Sequence, residues 1–168
     1  LVGLMRAVLF LPEDVKLVDG SPGERRRYLD IALCQLDKSY TRALSDYQKV
    51  VEQRNSLLRA FREQNASPNN PAVDAQLSFW DEKLIQHGSI VIAKRHNFVE
   101  QITQVARTLH SDLSGQRELL SLHYLPSFNP GSMSEADFAR LDDERASEYG
   151  DPPAGKLGPE SVATAFLA

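Results

Sequence analysis

A single cysteine, Cys34, stands in this chain of 168 residues. That excludes an intrachain disulfide and points to a reducing compartment, read here as the cytoplasm. No run approaches the ~18 apolar residues a membrane-spanning helix needs, so no membrane partner is expected. The apolar opening LVGLMRAVLFL carries Gly3 and Arg6 and lacks a small-residue cleavage site. It reads as a strand and not as a signal peptide. Histidines are few, and His87, His96, His110 and His123 make no tight ligand spacing with Cys34 or with one another. Even His96 and His110, set on one helix face, would stand ~21 Å apart, too far to share a metal ion. A glycine-rich phosphate loop is missing as well, because Gly20-Ser-Pro-Gly-Glu24 has neither the glycine spacing nor the lysine. Aromatic residues make up 8% and sit mostly at positions that read as core, leaving no platform for stacked bases. The expectation is a segment with no catalytic, cofactor or metal site of its own.

What is present is an ordinary globular composition, 42% apolar and 25% charged. Net charge is -4, unevenly spread. From Gly131 onward eight acids face three bases, a net of −5, so the first 130 residues carry about +1. The neutral body neither supports nor excludes contact with nucleic acid. The chain starts inside an apolar run and ends in the helical pattern SVATAFLA, which leads us to expect a piece of a longer protein.

Local signals divide the chain. Residues 7–11 read as a short buried strand and Pro12-Glu13-Asp14 as a turn. Ser21-Pro22-Gly23-Glu24 has the form of a capping box, with Ser21 as N-cap, Pro22 at the first helical position and Glu24 at the third. The helix it opens should reach about Leu36. From Lys38 to about Gln64, apolar residues recur at Tyr40, Leu44, Tyr47, Val51, Leu58 and Phe61, with Arg54 on the same seam. A second stripe at Ala43, Val50 and Leu57 widens the face, which predicts a long helix packed lengthwise on a partner. The polar Asn65–Ala72 stretch, with two prolines, reverses the chain. A second long pattern runs from near Asp74 through Leu77, Leu84, Val91, Phe98, Ile102, Val105 and Leu109 to Leu113. Gly88 and Arg95 lie on its seam, so a kink near Gly88 is expected. Two such stripes joined by a short loop predict an antiparallel helical hairpin over about 38–114. Leu113-Ser-Gly-Gln116 is one glycine short of an ABC-ATPase signature, and Gly115 reads as a helix stop. Residues 119–125 read as a strand. The fold class expected is mainly α, with short strands at the hairpin's base. The divisions expected are a helical arm lobe over 1–128, a flexible acidic linker over 129–159 (its acids in 131–159), and the start of a truncated helix over 160–168.

The basic residues carry two readings each. On a helical wheel Arg25 points into the apolar side of its helix, Arg26 flanks it and Arg27 faces away. A guanidinium aimed at a core must be paired, which favours a structural clasp onto neighbouring carbonyls or carboxylates. An anion site at the helix N-terminus is the alternative, with Glu24 competing for it. Arg26 and Asp30 form an i,i+4 pair in the weaker orientation. Along the next helix Arg42, Lys49, Arg59 and Arg62 are candidates for phosphate contact, although interspersed acids make a solvated face the simpler reading. Arg54, on the seam, should reach Asp81 or Glu82 across the hairpin.

The stretch PEDVKLVDGSPGERRRYLD resembles the signature of the RecF family of bacterial DNA repair proteins. It carries Pro12, Glu13, Leu17, Val18, Gly20, Ser21, Pro22, Arg25, Arg26, Tyr28, Leu29 and Asp30. The resemblance continues through Tyr47, QRNSLL at 53–58 with Arg54, WDEKL at 80–84, IAKR at 92–95 and YLPS at 124–127. Residues from Phe128 onward match no motif.

The resemblance implies an arm inserted in an ABC/SMC-type ATPase head, α+β in the parent, with the ATP and magnesium motifs outside this segment. It implies binding of gapped or single-stranded DNA junctions with ATP, an ATP-dependent homodimer, and work with RecR and RecO in loading RecA, within recombination, replication-linked repair and the SOS response. The segment's own share is either one wall of a DNA embrace or the shaping of the dimer. The alternative is a helical-hairpin module for protein interaction with no DNA contact of its own.

Overall fold

The computed structural model describes residues 11–66 and 70–126, with the side chain of Glu13 left aside. A 3-10 turn, Pro12–Val15, leads into four α-helices: α1 Lys16–Asp19, α2 Pro22–Leu36, α3 Lys38–Glu63 and α4 Pro71–Ser114. The chain divides into two compact units between Gly88 and Ser89, within α4. Most of the strand expected at 7–11, and the expected linker and terminal helix over 129–159 and 160–168, lie outside the described residues.

In the first unit, α2 starts on the expected capping box. The Ser21 hydroxyl accepts from the Glu24 amide at 3.3 Å, and Glu24 Oε2 accepts from the Ser21 amide at 2.7 Å. Two of the helix's orphan donors are satisfied in this way. The helix ends at Asp37, whose carboxylate at once caps α3 by accepting from the amides of Ser39 (2.7 Å) and Tyr40 (3.2 Å). One residue thus turns one helix into the next. Tyr40, Ala43 and Val50 are buried along the expected seam of α3. Asn65, at φ 49, takes the left-handed conformation that ends α3, and its amide donates to the Arg62 carbonyl. Arg54 Nε donates to Asp81 Oδ1 at 2.6 Å. Arg54 lies nine residues before the end of α3 and Asp81 ten after the start of α4, so α4 runs back along α3 as a helical hairpin.

Two expectations need correction here. α4 begins at Pro71, a full turn earlier than the apolar pattern indicates. Asn70 supplies the start, its side chain accepting from the Ala72 amide at 2.9 Å, with proline at the first helical position. The helix assignment is continuous through Gly88. Finally, the apolar side of α2 is largely open, with Tyr28 48%, Ile31 52% and Leu36 50% exposed and only Leu33 buried. Arg25 is therefore exposed rather than directed into a core.

The second unit holds the rest of α4 and the segment that follows it. Gly115 (φ 63) and Gln116 (φ 62) end the helix, as the glycine stop predicts, and turn the chain back. The segment 118–126 then runs beside the last turns. Thr103 Oγ1 lies 2.7 Å from the Val99 carbonyl and 3.2 Å from that of Leu122. Arg107 donates to the Leu120 carbonyl (3.4 Å) and the Ser121 hydroxyl (3.2 Å). The strand expected at 119–125 is not formed among the described residues, since two of its carbonyls accept from side chains instead. Burial along α4 also departs from the expected stripe. Of that stripe Val91 is buried while Val105, Leu109 and Leu113 are 60%, 58% and 88% exposed; Ser89, Ala93, His96, Val99 and Thr103, on an adjoining face, are buried as well.

Candidate nucleic-acid interface

The face of α3 opposite its seam carries Lys38, Arg42, Ser45 and Lys49, spaced by four, three and four, so their side chains share one stripe. With Thr41 and Asp46 they line an open surface depression. Lys38, Arg42 and Lys49 are all exposed. Lys49 Nζ is 3.3 Å from Asp46 Oδ1, one turn back on the helix. At this exposure such a pair contributes little and leaves the ammonium free to change partners. Among the described residues Lys38 and Arg42 have no ion-pair partner. Three cations against one carboxylate along ~16 Å of helix make a surface suited to a polyanion's backbone. It offers no aromatic and no fixed donor–acceptor pattern for reading bases.

Arg59 and Arg62 do not join this stripe. Ten residues of helix separate Lys49 from Arg59, whose Nε turns to the Asn55 carbonyl at 3.3 Å. Glu52 and Glu63 interrupt the polar face over that half of α3. Both arginines are exposed. Lys38 is the member that the choice of candidates missed, although its four-residue step to Arg42 marks it in the sequence.

The signature residues collect elsewhere. At the α1–α2 junction, Arg25 Nη1 donates to the carbonyls of Val18 (3.2 Å) and Gly20 (2.9 Å). Ser21, Pro22 and Glu24 form the cap just described. Gly20 is needed for space: a Cβ there would lie 2.3 Å from the Lys16 carbonyl oxygen and 2.7 Å from Glu24 Oε2. The Glu24 carboxyl is held below the ordinary glutamate range, first by the Ser21 backbone amide, then by the Ser21 side chain, with smaller help from Lys16 and Arg25. Pro12 opens the 3-10 turn. Arg26 is exposed, and Asp30, half-buried, accepts from the Tyr40 hydroxyl at 2.5 Å. Arg54 is held by Asp81. The guanidinium groups of Arg25 and Arg54 therefore face atoms of the fold itself. Among the described residues no three His, Cys, Asp or Glu side chains gather as a metal site, and no helix is long and apolar enough to cross a membrane.

No family model matches the sequence. The DNA replication and repair protein RecF of Chloroflexus aurantiacus is 46% identical over 136 residues, 81% of this chain and 34% of the relative. That of Chloroflexus aggregans is 49% identical over 127 residues, 76% of this chain and 32% of the relative. The chain belongs to the RecF family. It spans about a third of the length of these relatives. A solved structure of the recombination mediator protein RecF with ATP, from the RecFOR pathway, shares the fold: TM-score 0.69 at 23% identity, over 98% of this chain and half of that one. A second RecF structure gives a TM-score of 0.64 over 94% of this chain. In this chain the basic stripe of α3 and the capped α1–α2 junction are separate features, one open to solvent and one closed on itself.

Proposed function

We propose that the chain is the helical arm lobe (1–128) of a RecF-like recombinational DNA repair protein, followed by a linker, and that α3 meets DNA phosphate. The observation that carries the first half is identity of 46% over four-fifths of the chain with a protein of DNA replication and repair. The parent protein binds gapped or single-stranded DNA junctions with ATP and magnesium, dimerises with ATP, and helps RecR and RecO load RecA in the cytoplasm. ATP chemistry belongs to the parent and not to this segment. Support for the second half is the exposed row Lys38, Arg42 and Lys49, a sequence-independent footprint that fits a strand's backbone. Arg59 and Arg62 extend it only as outlying contacts. Arg25 and Arg54 serve as clasps, since Arg25 Nη1 and Arg54 Nε already hold atoms of the fold.

The competing reading is a mechanical strut that shapes the dimer or holds a protein partner. The mixed charge of α3's far half, with Glu52 and Glu63, favours it. Fluorescence anisotropy with a gapped duplex separates the two. Three phosphate contacts give a slope of about −2.7 in log affinity against log salt, or about 40-fold weaker binding between roughly 50 and 200 mM. Arg42→Glu should abolish that binding. A chain that ignores DNA at the lower salt is a strut.

A further inference from the structure

The last turns of α4, within the second unit, leave an apolar row open. Val105 and Leu109 are exposed, and Phe98 and Ile102 are half-buried. With Arg95 at one end and Asp112 at the other, these residues step by three, four, three, four and three. That is the a/d repeat of a helix packed lengthwise on another helix, and its two end members carry opposite charge. We propose that this face of α4, residues 95–112, pairs with the same face of a second copy of the chain, antiparallel and without ATP. The inference stands on the second unit alone and is independent of any contact with DNA.

Charge complementarity decides both the occupant and its direction. Turned antiparallel about a two-fold axis between Ile102 and Val105, the row matches itself. Ile102 then faces Val105 of the other copy, Phe98 faces Leu109 and Arg95 faces Asp112, and each contact occurs twice. Parallel pairing would instead set arginine on arginine and aspartate on aspartate, which selects against it. Gln101, Ala106 and Thr108, which flank the row, are uncharged, so a second copy meets no repulsion along its sides. Asp112 is exposed. The Arg95 guanidinium has five N–H donors, enough to take that carboxylate beyond the partner it already has. One base and one acid on an apolar row give a nucleic acid no footprint. The row spans ~25 Å of helix, which puts the interface at the small end of its kind. The pair is therefore weak and concentration-dependent, with Kd on the order of 100 µM.

Sedimentation velocity of the full chain without ATP, from about 5 to about 500 µM, should show the mass rising toward that of a dimer. Leu109→Asp, at an exposed position and with folding checked by circular dichroism, should weaken association at least about tenfold. A chain that stays monomeric throughout leaves the row to some other occupant and overturns the proposal. A dimer that survives Leu109→Asp uses another face and overturns it too. Asp112→Arg should weaken the pair at low salt and do so less at about 1 M salt, where charge is screened; unchanged association would remove the charge argument and the proposal with it. Cysteine cross-linking in a Cys34→Ser background reads the direction. Mixed F98C and L109C copies should link to each other. L109C alone should not, because antiparallel pairing holds the two copies of residue 109 about 16 Å apart along the axis. L109C linking to itself as readily as to F98C, or no link at concentrations where the dimer forms, refutes the antiparallel pair.

Discussion

Tyr40 provides a sharp test of what locks α2 to α3. Its side chain is 0% exposed, and its hydroxyl donates at 2.5 Å to Asp30, a carboxylate on α2 ten residues earlier. Tyr40→Phe keeps the buried ring and removes only the donor. A hydrogen bond to a charged acceptor nets about 1.5–3 kcal/mol, and since Asp30 is half-buried the lower end, about 1.5 kcal/mol, is expected. Tyr40→Ala removes the ring as well and leaves a cavity, for a loss of about 3–5 kcal/mol. In a chain of this size about 1 kcal/mol moves Tm by roughly 2–4 °C. Tyr40→Phe should therefore lower Tm by about 3–6 °C, and Tyr40→Ala by at least twice as much. Far-UV circular dichroism melts and urea titrations read both. A double-mutant cycle with Asp30→Ala should return a coupling of about 1.5 kcal/mol, because the two groups act through one contact. If Tyr40→Phe melts with the unaltered chain, or the coupling is nil, the hydrogen bond does not hold the corner and packing alone does.

Gly20→Ala should open the α1–α2 junction, because its Cβ would meet the Lys16 carbonyl oxygen at 2.3 Å. A local loss of about 1–3 kcal/mol is expected, seen as faster amide exchange over residues 21–25, and unchanged exchange there would refute it. Arg54→Ala removes an ion pair whose side chains are 31% and 43% exposed, so solvent screening limits the effect to about 0.5–1 kcal/mol at low salt. That difference should fade in concentrated salt, and a salt-independent loss would mean packing rather than charge. The Glu24 carboxyl, held low by the Ser21 amide, supplies cap stability that is present above the ordinary glutamate titration and lost as pH falls through the lowered value. Carbon-detected NMR should place its midpoint below that of an ordinary glutamate, and Glu24→Gln should remove the matching pH-dependent shift of the Ser21 amide. A midpoint in the ordinary range would contradict the capping box.

Much of the framework was legible because its signals are short-range. Ser21, Pro22 and Glu24 specify the start of α2 within four residues, and Gly115 marks the end of α4. The three-and-four spacing of Tyr40, Ala43, Tyr47 and Val50 describes a helix whatever it packs against. The Arg54–Asp81 pair was legible too, since a cation on an apolar seam demands an acid across a short hairpin. The first turn of α4 was not, because Asn70 and Pro71 read equally well as loop and as cap until the helix beyond them is seen. Nor was the burial of Ser89, Ala93, His96 and Thr103, since hydropathy weights apolar side chains and misses a face buried through small residues and satisfied polar groups. The candidate stripe was half-legible: Arg42 and Lys49 were named, Lys38 passed over, and Arg59 and Arg62 grouped with them although they lie further along the helix.

By itself, then, the sequence determined the three longer helices, the capping box of α2, the glycine stop of α4, the hairpin reversal and the family, because each depends on neighbours within a few turns or on a residue pattern. Only the tertiary structure decided which apolar side chains are covered, and that the carbonyls of Leu120 and Leu122 meet Arg107 and Thr103 in a segment that forms no strand among the described residues. Those outcomes depend on which surfaces meet, and partners for buried and polar groups are chosen by three-dimensional proximity that no local pattern encodes.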